Sequence, residues 1–204
     1  MKIICIGRNF VAHIEELKNE VPVEPVFFMK PDTALLRNND PFYIPAWSAD
    51  VHHEIELVIK ISKQGKNIEN KYANRYYKEV GLGIDFTARD VQNQLKSKGL
   101  PWEKAKAFDH SAVIGASFLP VTEFPSPDSI NFRLDINDSA VQQGSSSLMI
   151  FGFDEIISHV SKYVTLKIGD LIYTGTPAGV GPVKPGDRLR GFIGEKLMFD
   201  FIIK

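Results

Sequence analysis

Cysteine is almost absent: Cys5 is the only one in 204 residues. An intrachain disulfide framework and a cysteine-based zinc site are therefore both excluded. An excess of charge of one sign is missing as well, since 24 Lys and Arg face 25 Asp and Glu. Without a basic field, electrostatics gives no reason to expect nucleic acid or a membrane surface as partner. Long hydrophobic runs are lacking, none approaching the roughly 20 residues of a membrane-spanning helix. The N-terminus lacks a signal-peptide pattern, because only four residues separate Lys2 from Gly7. A cytoplasmic location is expected. No Gly/Ser/Pro-rich linker and no repeat architecture divide the chain, so residues 1–204 read as a single domain. A 44% hydrophobic content is enough for a core of its own. Cys5, within Ile3-Ile4-Cys5-Ile6, reads as a packing residue of that core.

What the sequence does contain is a series of short β-like runs rich in Ile, Val and Phe. They span 2–6, 26–29, 54–61, 79–86, 131–136, 170–174, 188–193 and 197–203. Helical patterns are fewer, over 10–18, 87–98 and 153–162. The sparse apolar residues Ala88, Val91 and Leu95 predict a surface helix with one face inward. Lys167-Ile168-Gly169-Asp170 and Lys184-Pro185-Gly186-Asp187 are two copies of one turn phrase, each followed by a β-like run. Strands do not alternate with long helices, which argues against a doubly wound parallel sheet. A mainly β, mixed α+β domain is expected.

The most informative stretch is His52-His53-Glu54-Ile55-Glu56-Leu57-Val58-Ile59-Lys60-Ile61. Alternation puts Ile55, Leu57, Ile59 and Ile61 on one face of a strand and Glu54, Glu56, Val58 and Lys60 on the other. Same-face residues lie about 6.5–7 Å apart along a strand, so two carboxylates can converge on one cation. The same pattern also suits a strand whose polar face is in water. A third acid, Asp85, ends the apolar run Glu79–Asp85, where strand ends commonly present site residues. Three carboxylates without a thiolate make a hard oxygen site, suited to Mg²⁺ or Mn²⁺ rather than zinc. His52 and His53 could bind directly or support the ligands by packing. Gly81-x-Gly83 lacks the third glycine of a dinucleotide fingerprint, and the 175–181 loop lacks the Gly-Lys-Ser/Thr ending of a P-loop.

Before the first helical pattern, Asn9 has the chemistry of an N-cap. His13 and Glu16, three apart, share a helical face, where the carboxylate can orient and polarise the imidazole. Such a pair can activate a water, and the same spacing also produces a plain surface ion pair. Arg8, Lys30, Arg89 and Lys106 each stand in apolar or turn-like surroundings, and sequence alone does not bring them together.

These phrases, taken jointly, resemble the fumarylacetoacetate hydrolase family, and its single-domain acylpyruvate hydrolase/oxaloacetate decarboxylase branch in particular. The matching residues are Gly7-Arg8-Asn9-Phe10…His13, Glu24-Pro25-Val26-Phe27-Phe28-Met29-Lys30-Pro31 and His52-His53-Glu54-Ile55-Glu56-Leu57. They continue through Asp85-Phe86-Thr87-Ala88-Arg89-Asp90-Val91-Gln92, Gly99-Leu100-Pro101-Trp102…Lys106, the 174–181 segment and Lys184-Pro185-Gly186-Asp187. The resemblance covers essentially the whole chain. It implies a mixed β-roll or β-sandwich with a few short helices, in which Glu54, Glu56 and Asp85 bind Mg²⁺ or Mn²⁺. It also implies a lid helix carrying His13 and Glu16, a catalytic Lys106, and substrate contacts from Arg8, Lys30, Arg89, Gln92 and Thr176. A homodimer is expected from the resemblance. The implied activity is cleavage of a C–C bond in a small 2-oxo acid, as an acylpyruvate hydrolase or oxaloacetate decarboxylase acting through a pyruvate enolate. Its alternative is keto–enol tautomerisation of oxaloacetate, or isomerisation of a dienedioate. A protein that binds 2-oxo acids without turnover is a third reading.

Overall fold

The computed structural model describes residues 1–16 and 20–204. In chain order its strands begin with β1 (Ile3–Gly7), β2 (Val26–Lys30), β3 (Leu35–Leu36), β4 (Val51–His53) and β5 (Ile55–Ile61). Next come β6 (Tyr77–Asp85), β7 (Thr87–Ala88), β8 (Ala112–Ile114), β9 (Leu119–Pro120), β10 (Asn131–Ile136) and β11 (Ser139–Ser145). The last are β12 (Leu171–Tyr173), β13 (Gly181–Pro182), β14 (Arg188–Ile193) and β15 (Lys196–Ile202). The α-helices are α1 (Val11–Glu16), α2 (Arg89–Ser97), α3 (Glu103–Lys106) and α4 (Phe153–Tyr163). The fold is mainly β, as expected. Among the described residues, no helix is long and apolar enough to cross a membrane.

An eight-stranded mixed sheet runs β2-β1-β12-β5-β6-β8-β3, with β9 paired to β6 beside that path. The β1–β12 and β3–β8 pairs are parallel. A four-stranded antiparallel sheet, β11-β10-β14-β15, shares one apolar core with it. Ile55, Leu57 and Ile59 of the large sheet meet Phe132, Leu134, Leu189 and Phe199 of the smaller one there. Phe153, Ile156, Ile157 and Val160 of α4 close that core at its side.

Strand β5 departs from the expected half-buried pattern. Glu56 and Val58 are as buried as the isoleucines, because the second face of the sheet has its own cluster of Ile3, Cys5, Val58, Leu171 and Tyr173. A central strand covered on both faces loses the apolar–polar alternation of burial. Lys60 alone reaches the rim, where it pairs with Glu79 at 2.7 Å. Cys5 is fully buried, as its apolar run predicts.

Boundaries shift where a strand turns out of one sheet. Glu54 lies in the break between β4, which pairs with β7 and β13, and β5, which belongs to the large sheet. The expected 87–98 helix starts two residues later, because Thr87 and Ala88 pair with β4. Of the expected 10–18 helix, 11–16 is helical, and Leu17 and Lys18 lie outside the described residues. The two turn phrases do share one device: the Lys167 and Lys184 N–H groups donate to Asp170 Oδ2 and Asp187 Oδ2, at 2.7 and 2.8 Å.

Candidate active site

Register assembles the three acids. Antiparallel pairing sets Glu56 opposite Gly83 and Ile55 opposite Ile84, so Glu54 and Glu56 arrive beside the end of β6, where Asp85 stands. Their carboxylate oxygens lie within 4.8 Å of one another. Glu54, Glu56 and Asp85 are 5%, 2% and 1% exposed, so these charges are out of bulk water. Gly83 is what lets the sheet close here, since a Cβ on it would lie 2.3 Å from the Val113 carbonyl oxygen.

Cations hold two of the three acids. Lys106, the last residue of α3, donates from Nζ to Glu54 Oε2 at 2.7 Å and Asp85 Oδ2 at 2.8 Å. Arg89, the first residue of α2, donates to Glu54 Oε1 at 2.5 Å and to Gln92 Oε1 at 2.6 Å. Burial alone would raise the Glu54 pKa, but Lys106 and Arg89 outweigh it and hold the carboxyl well below its usual range. Burial pulls the other way on Lys106, where Asp85 and Glu54 together keep the ammonium charged well beyond the usual lysine range.

Glu56 differs. Its recorded hydrogen bond comes from the Gly175 N–H, at 2.7 Å. Burial and the neighbouring Asp85 charge push its pKa up against that single bond. Among the described residues no cation pairs with Glu56, whereas Glu54 and Asp85 are both paired. The oxygen-only donor set and this unbalanced carboxylate fit a hard divalent cation such as Mg²⁺ or Mn²⁺. Gly175 can offer its N–H because it adopts φ +103°. It also lies so close to the chain at Asn9 that a Cβ would come within 2.7 Å of the Asn9 Cβ.

Above the acids sits α1. His13 Nδ1 is 3.2 Å from Glu16 Oε2, and both Glu16 oxygens accept from the Gly179 N–H at 3.1 and 3.3 Å. A loop next to the strand that follows β12 therefore anchors the pair over the cavity. Asn9 is not the N-cap of this helix. The first helical bond runs from the Ile14 N–H to the Phe10 carbonyl. Asn9 instead donates to the Thr174 and Phe151 carbonyls, at 2.8 and 3.0 Å, and accepts from the Phe151 N–H. These bonds tie the end of β1 to the loops beside it.

One cavity collects most of the expected residues: Arg8, His13, Glu54, Glu56, Asp85, Arg89, Gln92, Lys106 and Thr176 line it. Glu16 stands behind His13. Lys30 does not line the cavity. Its ammonium is fully buried behind Asp85, 2.6 Å from Oδ1, and donates to the carbonyl and hydroxyl oxygens of Ser111 at 2.9 and 3.0 Å. β2 thus delivers the Lys30 ammonium onto Asp85, outside the cavity lining where a substrate contact is expected of it. His52 and His53 bond Asp50 and Gln142, not the carboxylate cluster.

Five lining residues carry no site role in the sequence reading: Ile6, Gly7, Phe28, Lys96 and Trp102. Phe28 meets Trp102 edge-on at 6.5 Å and lies 5.3 Å under the Lys106 ammonium, forming an apolar wall. Lys96 follows Arg89 and Gln92 by seven and four residues, a helical spacing that marks the same face. The inward face of α2 is therefore polar, with Arg89 and Gln92 as its buried residues.

Comparison with known proteins agrees with this geometry. The fumarylacetoacetate (FAA) hydrolase C-terminal family matches residues 2–197. The chain is 42% identical over 202 residues to mitochondrial oxaloacetate tautomerase FAHD1 of Mus musculus, covering 99% of this chain and 91% of that protein. It is 40% identical to the mitochondrial oxaloacetate decarboxylase of Dictyostelium discoideum, covering 100% of this chain and 94% of that one. Among solved structures, fumarylpyruvate hydrolase from Pseudomonas aeruginosa in complex with Mn²⁺ and pyruvate superposes with a TM-score of 0.93. It is 33% identical, over 100% of this chain and 89% of that chain. With the matching fold, the chain-long identity and the buried carboxylate cluster, this protein is an enzyme that belongs to the fumarylacetoacetate hydrolase family.

Proposed function

We propose that this chain is a divalent-metal-dependent enzyme of small 2-oxo acids whose main reaction is the keto–enol tautomerisation of oxaloacetate. Sequence resemblance puts C–C cleavage first, and relatives named oxaloacetate tautomerase shift the weight to its alternative. The observation that carries the reading is the buried Glu54–Glu56–Asp85 cluster beneath a His–Glu pair.

When bound, Mg²⁺ or Mn²⁺ supplies Lewis acidity and a template for the carboxylate and 2-oxo oxygens of the substrate. With Glu16 accepting from Nδ1–H, His13 presents Nε2 as its basic nitrogen. In this reading Nε2 takes a proton from C3 of oxaloacetate, and the electron pair moves to the 2-oxo oxygen, which is then protonated to the enol. Lys106 spends two N–H groups on Glu54 and Asp85, and its third donates to the oxygen on which charge builds. Arg8, Gln92 and Thr176 bind the substrate's carboxylates, and Arg89 fixes both Glu54 and Gln92. Phe28 and Trp102 exclude water from one side.

Acylpyruvate hydrolysis is the second reading, favoured by the same His13–Glu16 pair, which can activate a water instead of abstracting a proton from carbon. Incubating Mg²⁺-loaded protein with enol-oxaloacetate and, separately, with acetylpyruvate distinguishes the readings. Enol decay faster than pyruvate release from either compound is expected. Pyruvate from acetylpyruvate outpacing enol decay would establish the hydrolase, and ligand binding without either reaction would leave a binding protein.

A further inference from the structure

Gln142 is the only buried residue of β11, where its six neighbours Ser139–Ser145 are exposed or half-exposed. A register shift explains how it turns inward: Leu134 pairs with Gln142 and Asp135 with Ala140, leaving Val141 over as a bulge. Bulges re-aim the side chains beside them. Gln142 is 1% exposed and its side-chain amide makes four hydrogen bonds. Its Oε1 accepts from the Ile55 N–H at 3.1 Å and faces His53 Nδ1 at 2.8 Å. Its Nε2 lies 2.9 Å from both the Pro177 carbonyl oxygen and Thr176 Oγ1.

Two of these partners have no choice of role. A backbone N–H only donates and a proline carbonyl only accepts, so together they fix which end of the amide is oxygen. The other two roles follow. His53 must carry its proton on Nδ1. Both amide hydrogens are committed to oxygens, so Thr176 Oγ1 must be the acceptor and its own proton must point elsewhere. No described residue takes that proton, and Thr176 lines the cavity.

We propose that Gln142 is a positioning residue that sets the Thr176 hydroxyl as a fixed hydrogen-bond donor into the cavity, selecting an anionic carboxylate oxygen of the substrate. The proposal rests on the 2-oxo acid reading above. The amide reaches Thr176 from the smaller sheet while its oxygen holds both residues that flank Glu54. One side chain therefore joins the acid cluster to the 174–179 loop, whose Gly175 and Gly179 N–H groups hold Glu56 and Glu16.

A double-mutant cycle on the Mn²⁺-loaded full chain tests this, with oxalate as a non-reacting probe and calorimetry as the readout. Thr176→Val should weaken oxalate about tenfold or more, the loss of a hydrogen bond to a charged group. Gln142→Met should weaken it less, and the double variant should be no weaker than Thr176→Val alone. In turnover, Gln142→Met should raise KM several-fold with little change in kcat, the signature of lost uniform binding. Gln142→Glu, which keeps the shape and invites the Thr176 proton to itself, should weaken oxalate at least as much as Gln142→Met. It also keeps the test open should the methionine variant fail to fold. Losses that multiply in the double variant, or unchanged oxalate affinity in both Gln142 variants, would overturn the proposal alone. Absence of oxalate binding by the unaltered protein would overturn the 2-oxo acid reading and the proposal together.

Discussion

The acid cluster and the helix above it are built in opposite ways. Glu56 and Asp85 sit on long paired strands of a sheet covered on both faces, Glu54 stands at the break just before one of them, and Lys30, Lys106 and Arg89 hold Glu54 and Asp85. Helix α1 has six residues, with His13 and Ile14 packed inward, and among the described residues the Gly179 N–H is the backbone donor that anchors its His13–Glu16 pair. The cluster keeps fixed charges in a rigid, water-poor setting, where electrostatic interactions are strong. In the proposed reaction the helix places the proton-transfer group over a cavity that has to admit substrate. Buried strands carry the fixed charges here, and a short helix carries the proton-transfer pair of the proposed reaction.

Breaking the helix side alone should have the largest effect. His13→Ala should lower turnover by about 10²–10⁴-fold while leaving Mn²⁺ affinity unchanged, because the proposed reaction uses the imidazole as base and not as ligand. Unchanged kcat in steady-state assays of enol decay would remove His13 from the chemistry. Breaking the cluster side behind its visible face should show in stability instead. Lys30→Met leaves Asp85 without its rear partner, and the metal-free protein should lose about 3 kcal/mol in urea unfolding. Saturating Mn²⁺ should recover part of that loss, since an ion bound only by the folded chain stabilises it.

A smaller and pH-dependent effect tests the frame on which α2 carries Arg89 and Gln92 inward. Asp90 accepts from the Ala49 N–H at 2.9 Å and from the Ser48 hydroxyl at 2.7 Å. Burial would raise its pKa, but these bonds win and hold it below the usual value. A carboxyl whose folded pKa lies under its unfolded value, near ~3.9, stabilises fully above that pH and loses the contribution as pH falls through the folded value. Asp90→Asn should therefore melt a few degrees below the parent at pH 7, the loss of about 1 kcal/mol. The gap should narrow below about pH 4. A gap independent of pH would assign the effect to shape rather than charge.

The acid cluster was the legible part of the site. Two glutamates at strand spacing and an aspartate at a strand end announce themselves in one dimension, and strand register then forces them together. Lys30 was legible as a phrase but not as a position, because only the course of β2 decides on which side of Asp85 its ammonium arrives. Gln142 was invisible. It stands 89 residues from His53 in a polar stretch that carries no strand signal, and a one-residue bulge turns it inward. The burial of Val58 and Glu56 was hidden too, since alternation in a single strand does not reveal whether the second face is covered. Chain order and turn chemistry are local and can be read from neighbours; coverage of a face and the far partner of a buried amide are settled only by the whole fold.

Glu54, Glu56 and Asp85 should together hold one divalent cation. Titrating Mn²⁺ into the protein by calorimetry, beside a Glu56→Ala variant checked for an unchanged circular dichroism spectrum, tests it most directly. One ion per chain, with affinity lowered about 100-fold or more in the variant, is the expected result, since an open site with only three protein ligands cannot spare one. Equal Mn²⁺ affinity in the two proteins would contradict the account.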